Sequence, residues 1–170
     1  MILYVLRHGI AEDEGPKGDD RSRRLTPRGR ARMRAAADGM RALGLRFDVI
    51  LTSPLVRAVE TAAILAGVYA GKPAPQELPA LAAGTPPAET VRALRPFARH
   101  EHVVIVGHEP GLSGIASLLL TGSPTGMSIE LKKGGMIALD TGALLRASGG
   151  AATGAALLWH ATPRQLRRMR

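Results

Sequence analysis

Three short apolar runs, each cut off by a polar or glycine-bearing segment, constrain this sequence most. Ile2–Leu6 gives way to Arg7-His8-Gly9. Asp48–Leu51 leads through Thr52 to Ser53-Pro54-Leu55-Val56-Arg57, and His102–Val106 ends at Gly107-His108-Glu109-Pro110. Runs this short, rich in Val, Ile and Leu, suit strands buried on both faces. Helical signals lie between them. Thr26 can N-cap a helix with Pro27 in its first position, running to about Leu43 and stopping at Gly44. Ser53-Pro54 is expected to cap a second helix that ends near Val68. Gly71–Pro75 reads as a turn and residues 76–86 as irregular. A third helix is expected over Ala88–Ala98 and a fourth from Pro110 to about Leu120. Met136–Asp140 and Ala155–His160 read as two further strands, separated by a Gly-rich turn at 148–154.

Strands alternating with helices predict a three-layer α/β/α architecture with a mostly parallel central sheet. The last two strands have no helix between them, so an antiparallel edge pair is expected. The chain of 170 residues shows no linker and no insertion long enough for a cap, so residues 1–170 are expected to form a single domain. It has no cysteine, which excludes disulfides, thiol nucleophiles and thiolate metal sites. No apolar run approaches the length of a membrane span. The N-terminus opens directly on a strand-like run, so no signal peptide is expected and a cytoplasmic location is the default.

The formal charge of +9 suits an anionic partner. It is unevenly spread: seven arginines fall within residues 21–34 and four in the octet Pro163–Arg170. A solvated helix face and a loose tail would account for these; a positive rim that steers acidic substrates is the functional alternative. Nucleic acid is the competing partner. With five aromatic residues in the chain, stacking platforms for bases are scarce, which argues against it.

In open α/β sheets, ligands bind beyond the carboxyl ends of the strands. The three polar segments fall there, so Arg7, His8, Arg57 and His108 are expected to face one crevice. That set suits phosphoryl chemistry. Arginine grips phosphate oxygens with parallel hydrogen bonds, and histidine can attack phosphorus to form a covalent intermediate. Helix N-termini near Ser53-Pro54 and Pro110 add donors for an anion. Gly9 is expected to let the backbone approach the ligand.

Leu6-Arg7-His8-Gly9 after an N-terminal strand resembles the signature of the histidine phosphatase superfamily, which includes the phosphoglycerate mutases. Leu25-Thr26-Pro27-Arg28-Gly29, Ser53–Ala62 and Val106-Gly107-His108-Glu109-Pro110 resemble three further segments of that family, in the same order. The resemblance covers about the first 120 residues. The short, cap-free chain is similar to the small SixA-type branch, the protein phosphohistidine phosphatases. The resemblance implies a phosphoglycerate mutase-like fold and a metal-independent hydrolase of signal transduction with no cofactor. His8 is then the nucleophile, and Arg7, Arg57 and His108 surround the phosphoryl group. Arg23 or Arg24 matches an arginine that precedes the Leu-Thr pair in the small branch. The implied substrate is a phosphorylated protein such as a histidine phosphotransfer domain. A small phosphoester is the alternative, and a catalytically silent phosphate- or protein-binding module is a third reading. A monomer is the favoured oligomeric state.

One departure concerns the proton donor. Many family members carry a glutamate after the third strand that protonates the leaving group. Here Leu78-Pro79 is followed by Ala80, which leaves Glu77, Glu89 or no acid at all. Release of a ring nitrogen from a P–N bond is easier than release of an alkoxide, so the departure favours phosphohistidine. Ser53 is read as a helix cap rather than a nucleophile. Glu12, Asp13, Glu14, Asp19 and Asp20 read as a solvated acidic loop without the calcium-loop pattern. His100 and His102 read as surface residues, and His160 carries no assigned role.

Overall fold

The computed structural model describes residues 1–16, 18–146 and 153–169. Six strands form one sheet: β1 (Ile2–Arg7), β2 (Val49–Thr52), β3 (Pro75–Glu77), β4 (His102–Gly107), β5 (Met136–Asp140) and β6 (Ala156–Ala161). Their order across the sheet is β3-β2-β4-β1-β5-β6. β1, β2, β3 and β4 pair in parallel. β5 pairs antiparallel with both β1 and β6, which gives the expected antiparallel pair at one edge.

The alternation of side chains along buried strands builds two cores. Leu3, Val5, Val103 and Ile105 belong to one, with α3 (Pro87–Leu94) and α4 (Gly111–Thr121) against them. Tyr4, Leu6, Val104 and Val106 belong to the other, under α1 (Pro27–Ala42) and α2 (Val56–Val68). The architecture is therefore the expected α/β/α sandwich around a mostly parallel sheet. Among the described residues no helix is long and apolar enough to cross a membrane.

The Thr26 cap forms: its side chain accepts from the Gly29 N–H at 2.9 Å, with Pro27 in the first turn. Other boundaries differ from expectation. Ser53 does not cap α2, which begins at Val56 after an uncapped Leu55. Residues expected to be irregular hold β3 and a 3₁₀ turn at Pro79–Leu81. Helix α3 ends at Leu94 and tightens into a 3₁₀ turn at Arg95–Phe97, because Pro96 has no N–H to continue the α pattern. A short helix α5 (Pro163–Leu166), closed by a Thr162–Gln165 capping box, ends the described chain where no helix was expected. The expected glycine turn at 148–154 lies, over 148–152, outside the described residues.

Candidate active site

Strand register assembles the site. Arg7 is opposite Gly107 across β1 and β4, and Thr52 is opposite Val106 across β2 and β4. The three strands therefore end side by side. Backbone bonds carry the alignment one residue further: His8 N–H donates to the Gly107 carbonyl at 3.1 Å, and Ser53 N–H donates to the Val106 carbonyl at 2.9 Å. Beyond these ends opens a cleft of about 350 Å³, lined by Arg7, His8, Asp20, Arg23, Arg57, Ala83, His108, Glu109 and Lys133.

His8 is buried, and its Nδ1 lies 2.7 Å from the Gly9 carbonyl oxygen. A carbonyl only accepts, so the hydrogen-bond network assigns the ring proton to Nδ1 and leaves the lone pair on Nε2. Burial pushes the His8 pKa down to about 3. The Gly9 carbonyl opposes this, and the charges of His108, Arg57 and Arg7 add to it. The ring is therefore neutral at physiological pH, with Nε2 available as a nucleophile.

The His108 ring centroid lies 5.0 Å from that of His8. Its Nε2 is 2.8 Å from Ser53 Oγ, and the same Oγ accepts from the Leu55 N–H at 3.3 Å. Either atom can donate in this contact, according to the His108 tautomer; among the described residues His108 Nε2 is the acceptor within reach of the Ser53 hydroxyl proton, and that pairing assigns Ser53 as the donor. The proton of a neutral His108 then sits on Nδ1, a buried atom with no partner in the protein. Burial, with Arg57 next in importance, pushes the His108 pKa down to about 4.

Arg7 donates through Nη1 to the Leu131 carbonyl at 2.8 Å. Arg57 is buried on the first turn of α2. Its Nη1 donates to the Asp20 carbonyl at 2.6 Å and its Nη2 to Asp20 Oδ2 at 2.9 Å. Both arginines keep a buried Nε–H without a partner. Arg7 Nε, Arg57 Nε and His108 Nδ1 are thus three unpaired donors on residues of one cleft. Buried polar groups are normally paired, so such a cluster marks a place built for an anion.

Residues 3–82 match the model of the histidine phosphatase superfamily (branch 1). An uncharacterised protein of a Picosynechococcus strain is 41% identical over 149 residues, covering 84% of this chain and 87% of that protein. The chain belongs to the histidine phosphatase superfamily. Its fold matches that of the protein histidine phosphatase SixA, solved in complex with tungstate, with a TM-score of 0.81 over 98% of this chain and 99% of that one, at 18% identity. The α-ribazole phosphatase of Shigella flexneri superposes with a TM-score of 0.73 over 96% and 97% of the two chains, at 16% identity.

Not every residue singled out in the sequence lies where a histidine phosphatase ligand would bind. Gly9 is absent from the cleft lining. Its N–H donates to Thr61 Oγ1 at 3.0 Å, its carbonyl holds His8, and a side chain there would crowd Leu25 Cδ2. Its place in the motif serves the nucleophile rather than the ligand. Thr61 in turn donates to the Arg57 carbonyl at 2.7 Å, so one buried hydroxyl ties the His8 turn to the Arg57 helix. Gly29 acts at the same junction: a Cβ there would overlap the Ile10 carbonyl, so only glycine lets α1 pack this close. Arg23 lines the cleft and donates to Asp20 Oδ1 at 2.8 Å, whereas Arg24 does not line it.

Asp20 is exposed, as the solvated-loop reading expects, but it also holds both Arg57 and Arg23. Those arginines keep its carboxyl below the usual range. Glu77 and Glu89, the two candidate acids, are exposed and lie outside the cleft lining. Two carboxyls line it: Asp20, which is tied to Arg57 and Arg23, and Glu109, which sequence reasoning passed over although it sits inside the Gly107–Pro110 segment. Its Oε2 is 2.6 Å from Ser113 Oγ, its Oε1 is buried without a partner, and burial pushes its pKa up.

Proposed function

We propose that the protein is a phosphatase that works through a phosphohistidine on His8 and that its substrate is a histidine-phosphorylated protein. The observation that carries the reading is a neutral His8, its proton on Nδ1, in a cleft also lined by Arg7, Arg57 and His108, each of which keeps a buried nitrogen without a partner. Phosphoryl transfer needs little else from a protein than a positioned nucleophile and fixed donors for the oxygens.

In the proposed reaction His8 Nε2 attacks phosphorus and the P–N bond to the substrate ring breaks. The departing ring nitrogen takes up a proton, for which Glu109 is the carboxyl at hand. Arg7, Arg57 and His108 hold the three phosphoryl oxygens. Water then attacks phosphorus, the His8–P bond breaks, and inorganic phosphate leaves with His8 neutral again. No residue on this path has to hold a metal or cofactor. The connections between the described elements carry no cap domain, which suits a phosphate presented on a protein surface. The SixA-type fold supports the same substrate class. A small phosphoester is the second reading, favoured by the similarity of fold to an α-ribazole phosphatase.

The test is release of phosphate from a histidine-phosphorylated phosphotransfer domain in EDTA, with His8→Ala beside the wild type. Release by the wild type alone is expected. Hydrolysis of an aryl phosphate without release from the protein would move the substrate to phosphoesters. Silence on both, with tungstate still bound, would leave a binding module.

A further inference from the structure

Behind the Arg7-His8-Gly9 turn lies a second, smaller cavity of about 40 Å³, and cations line it. Arg32 from α1, Arg167 just after α5, and Lys133 reach it beside Gly9 and Gly134. Lys133 also lines the catalytic cleft, so the two hollows share a wall. The packing that brings Arg32 and Arg167 together is specific. A Cβ on Gly39 would overlap the Leu166 carbonyl, so glycine in α1 lets α5 lie against it.

Among the described residues these charges have no internal counter-ion. Arg30, two residues from Arg32, pairs with Glu60 at 2.9 Å, and Arg23 pairs with Asp20. Among the described residues no carboxylate lies within 4.0 Å of the charged nitrogens of Arg32, Lys133, Arg164, Arg167 or Arg168. Arg167 feels the charges of Arg32, Arg164 and Arg168, and burial and that repulsion hold its pKa below the ordinary value. Half-buried, mutually repelling cations at a cavity lower their energy by taking up an anion.

We infer that this cavity is a docking subsite for an acidic side chain of the protein substrate, so that a carboxylate beside the phosphorylated residue is held by Arg32, Lys133 and Arg167 while the phosphoryl group enters the cleft. The inference rests on the phosphoprotein reading above and adds where that protein is gripped. The hollow has room for about three water-sized groups, enough for a carboxylate tip, and its lining supplies the cations that would hold one. Its lining has no aromatic side chain on which a base could stack.

Arg32→Ala/Arg167→Ala tests it, with the histidine-phosphorylated phosphotransfer domain and an aryl phosphate as parallel substrates. Two surface charges together predict a rise in KM for the phosphoprotein of about five- to ten-fold, with kcat and all aryl phosphate constants within about two-fold. Added salt should raise the phosphoprotein KM of the wild type more steeply than that of the variant. Arg167→Glu alone should act in the same direction, and the aryl phosphate rate reports that either variant is folded. An unchanged phosphoprotein KM overturns the inference and leaves the function standing. An equal loss on the aryl phosphate also overturns it, because the arginines would then serve the catalytic cleft or the fold. Aryl phosphate hydrolysis with no turnover of the phosphoprotein by wild type overturns the function and the inference together. Protection of the cavity by an oligonucleotide, and not by polyglutamate, would assign it to nucleic acid instead.

Discussion

Ser53 Oγ lies 2.8 Å from His108 Nε2, and that contact sets which proton His108 presents to the cleft. Among the described residues His108 Nε2 is the acceptor within reach of the Ser53 hydroxyl proton, and with Ser53 as donor His108 keeps its proton on Nδ1. Ser53→Ala removes the preference and lets the ring adopt the tautomer whose lone pair would face the phosphoryl oxygens. Loss of a transition-state donor costs about 100-fold or more in kcat, and a donor only disoriented costs less, about ten-fold here. Steady-state kinetics and ¹⁵N chemical shifts of the His108 ring check both halves. Unchanged kcat with an unchanged tautomer would reduce Ser53 to a packing residue.

Asp20 acts on Arg57 in a comparable way. The buried guanidinium has one N–H of each terminal nitrogen on Asp20, which fixes its orientation, and its Nε–H keeps no partner. Asp20→Ala should raise KM about five- to ten-fold through a misdirected Arg57, and Asp20→Asn, whose amide oxygen can still accept, should recover part of it. Inhibition by tungstate should weaken in parallel. Tighter tungstate binding in Asp20→Ala would show instead that Asp20 competes with the anion.

These two residues also show where sequence reading stops. Arg7, His8 and His108 were legible because each directly follows an apolar strand, and register alone brings parallel strand ends together. The partners that orient them were not. Ser53 meets His108 across 55 positions and Asp20 meets Arg57 across 37, and no local pattern encodes such contacts. Ser53-Pro54 resembled a helix cap because a cap and a cleft hydroxyl use the same residue types. β3 is three residues long, too short to display an alternation. Glu109 was visible inside a motif, but only burial separates it from a solvated glutamate.

The low pKa values of the two histidines couple the site to stability. In the unfolded chain each titrates near 6.5. In the folded protein His8 titrates near 3 and His108 near 4, so between those values and 6.5 the unfolded state binds more protons. Stability therefore rises with pH through that window and falls on acidification. Between pH 7 and pH 5, His8 alone should contribute a loss of about 2 kcal/mol. Denaturant unfolding at the two pH values, wild type against His8→Asn, isolates this term. Equal acid losses in the two proteins would mean that His8 charges freely in the folded state.

Glu109 carries the prediction on the chemical step. Ser113 Oγ has one proton and two neighbours that ordinarily accept, Glu109 Oε2 at 2.6 Å and the Ile129 carbonyl at 3.1 Å. The Ser113 proton serves one of these acceptors at a time, and a protonated Glu109 would let both contacts be met, the carboxyl donating to Ser113 and Ser113 to Ile129. Burial raises the Glu109 pKa, and the Ser113 hydrogen bond and the charge of Arg7 oppose it. In its protonated form Glu109 can supply the leaving group with its proton, a service worth about 100-fold or more when the leaving group is poor. Glu109→Gln should therefore slow phenyl phosphate by about that factor and leave dinitrophenyl phosphate, whose phenolate needs no proton, nearly unaffected. A plot of log(kcat/KM) against leaving-group pKa should steepen in the variant. A uniform loss across all leaving groups would place Glu109 with the residues that hold the cleft in shape, and the proton would then have to come from water.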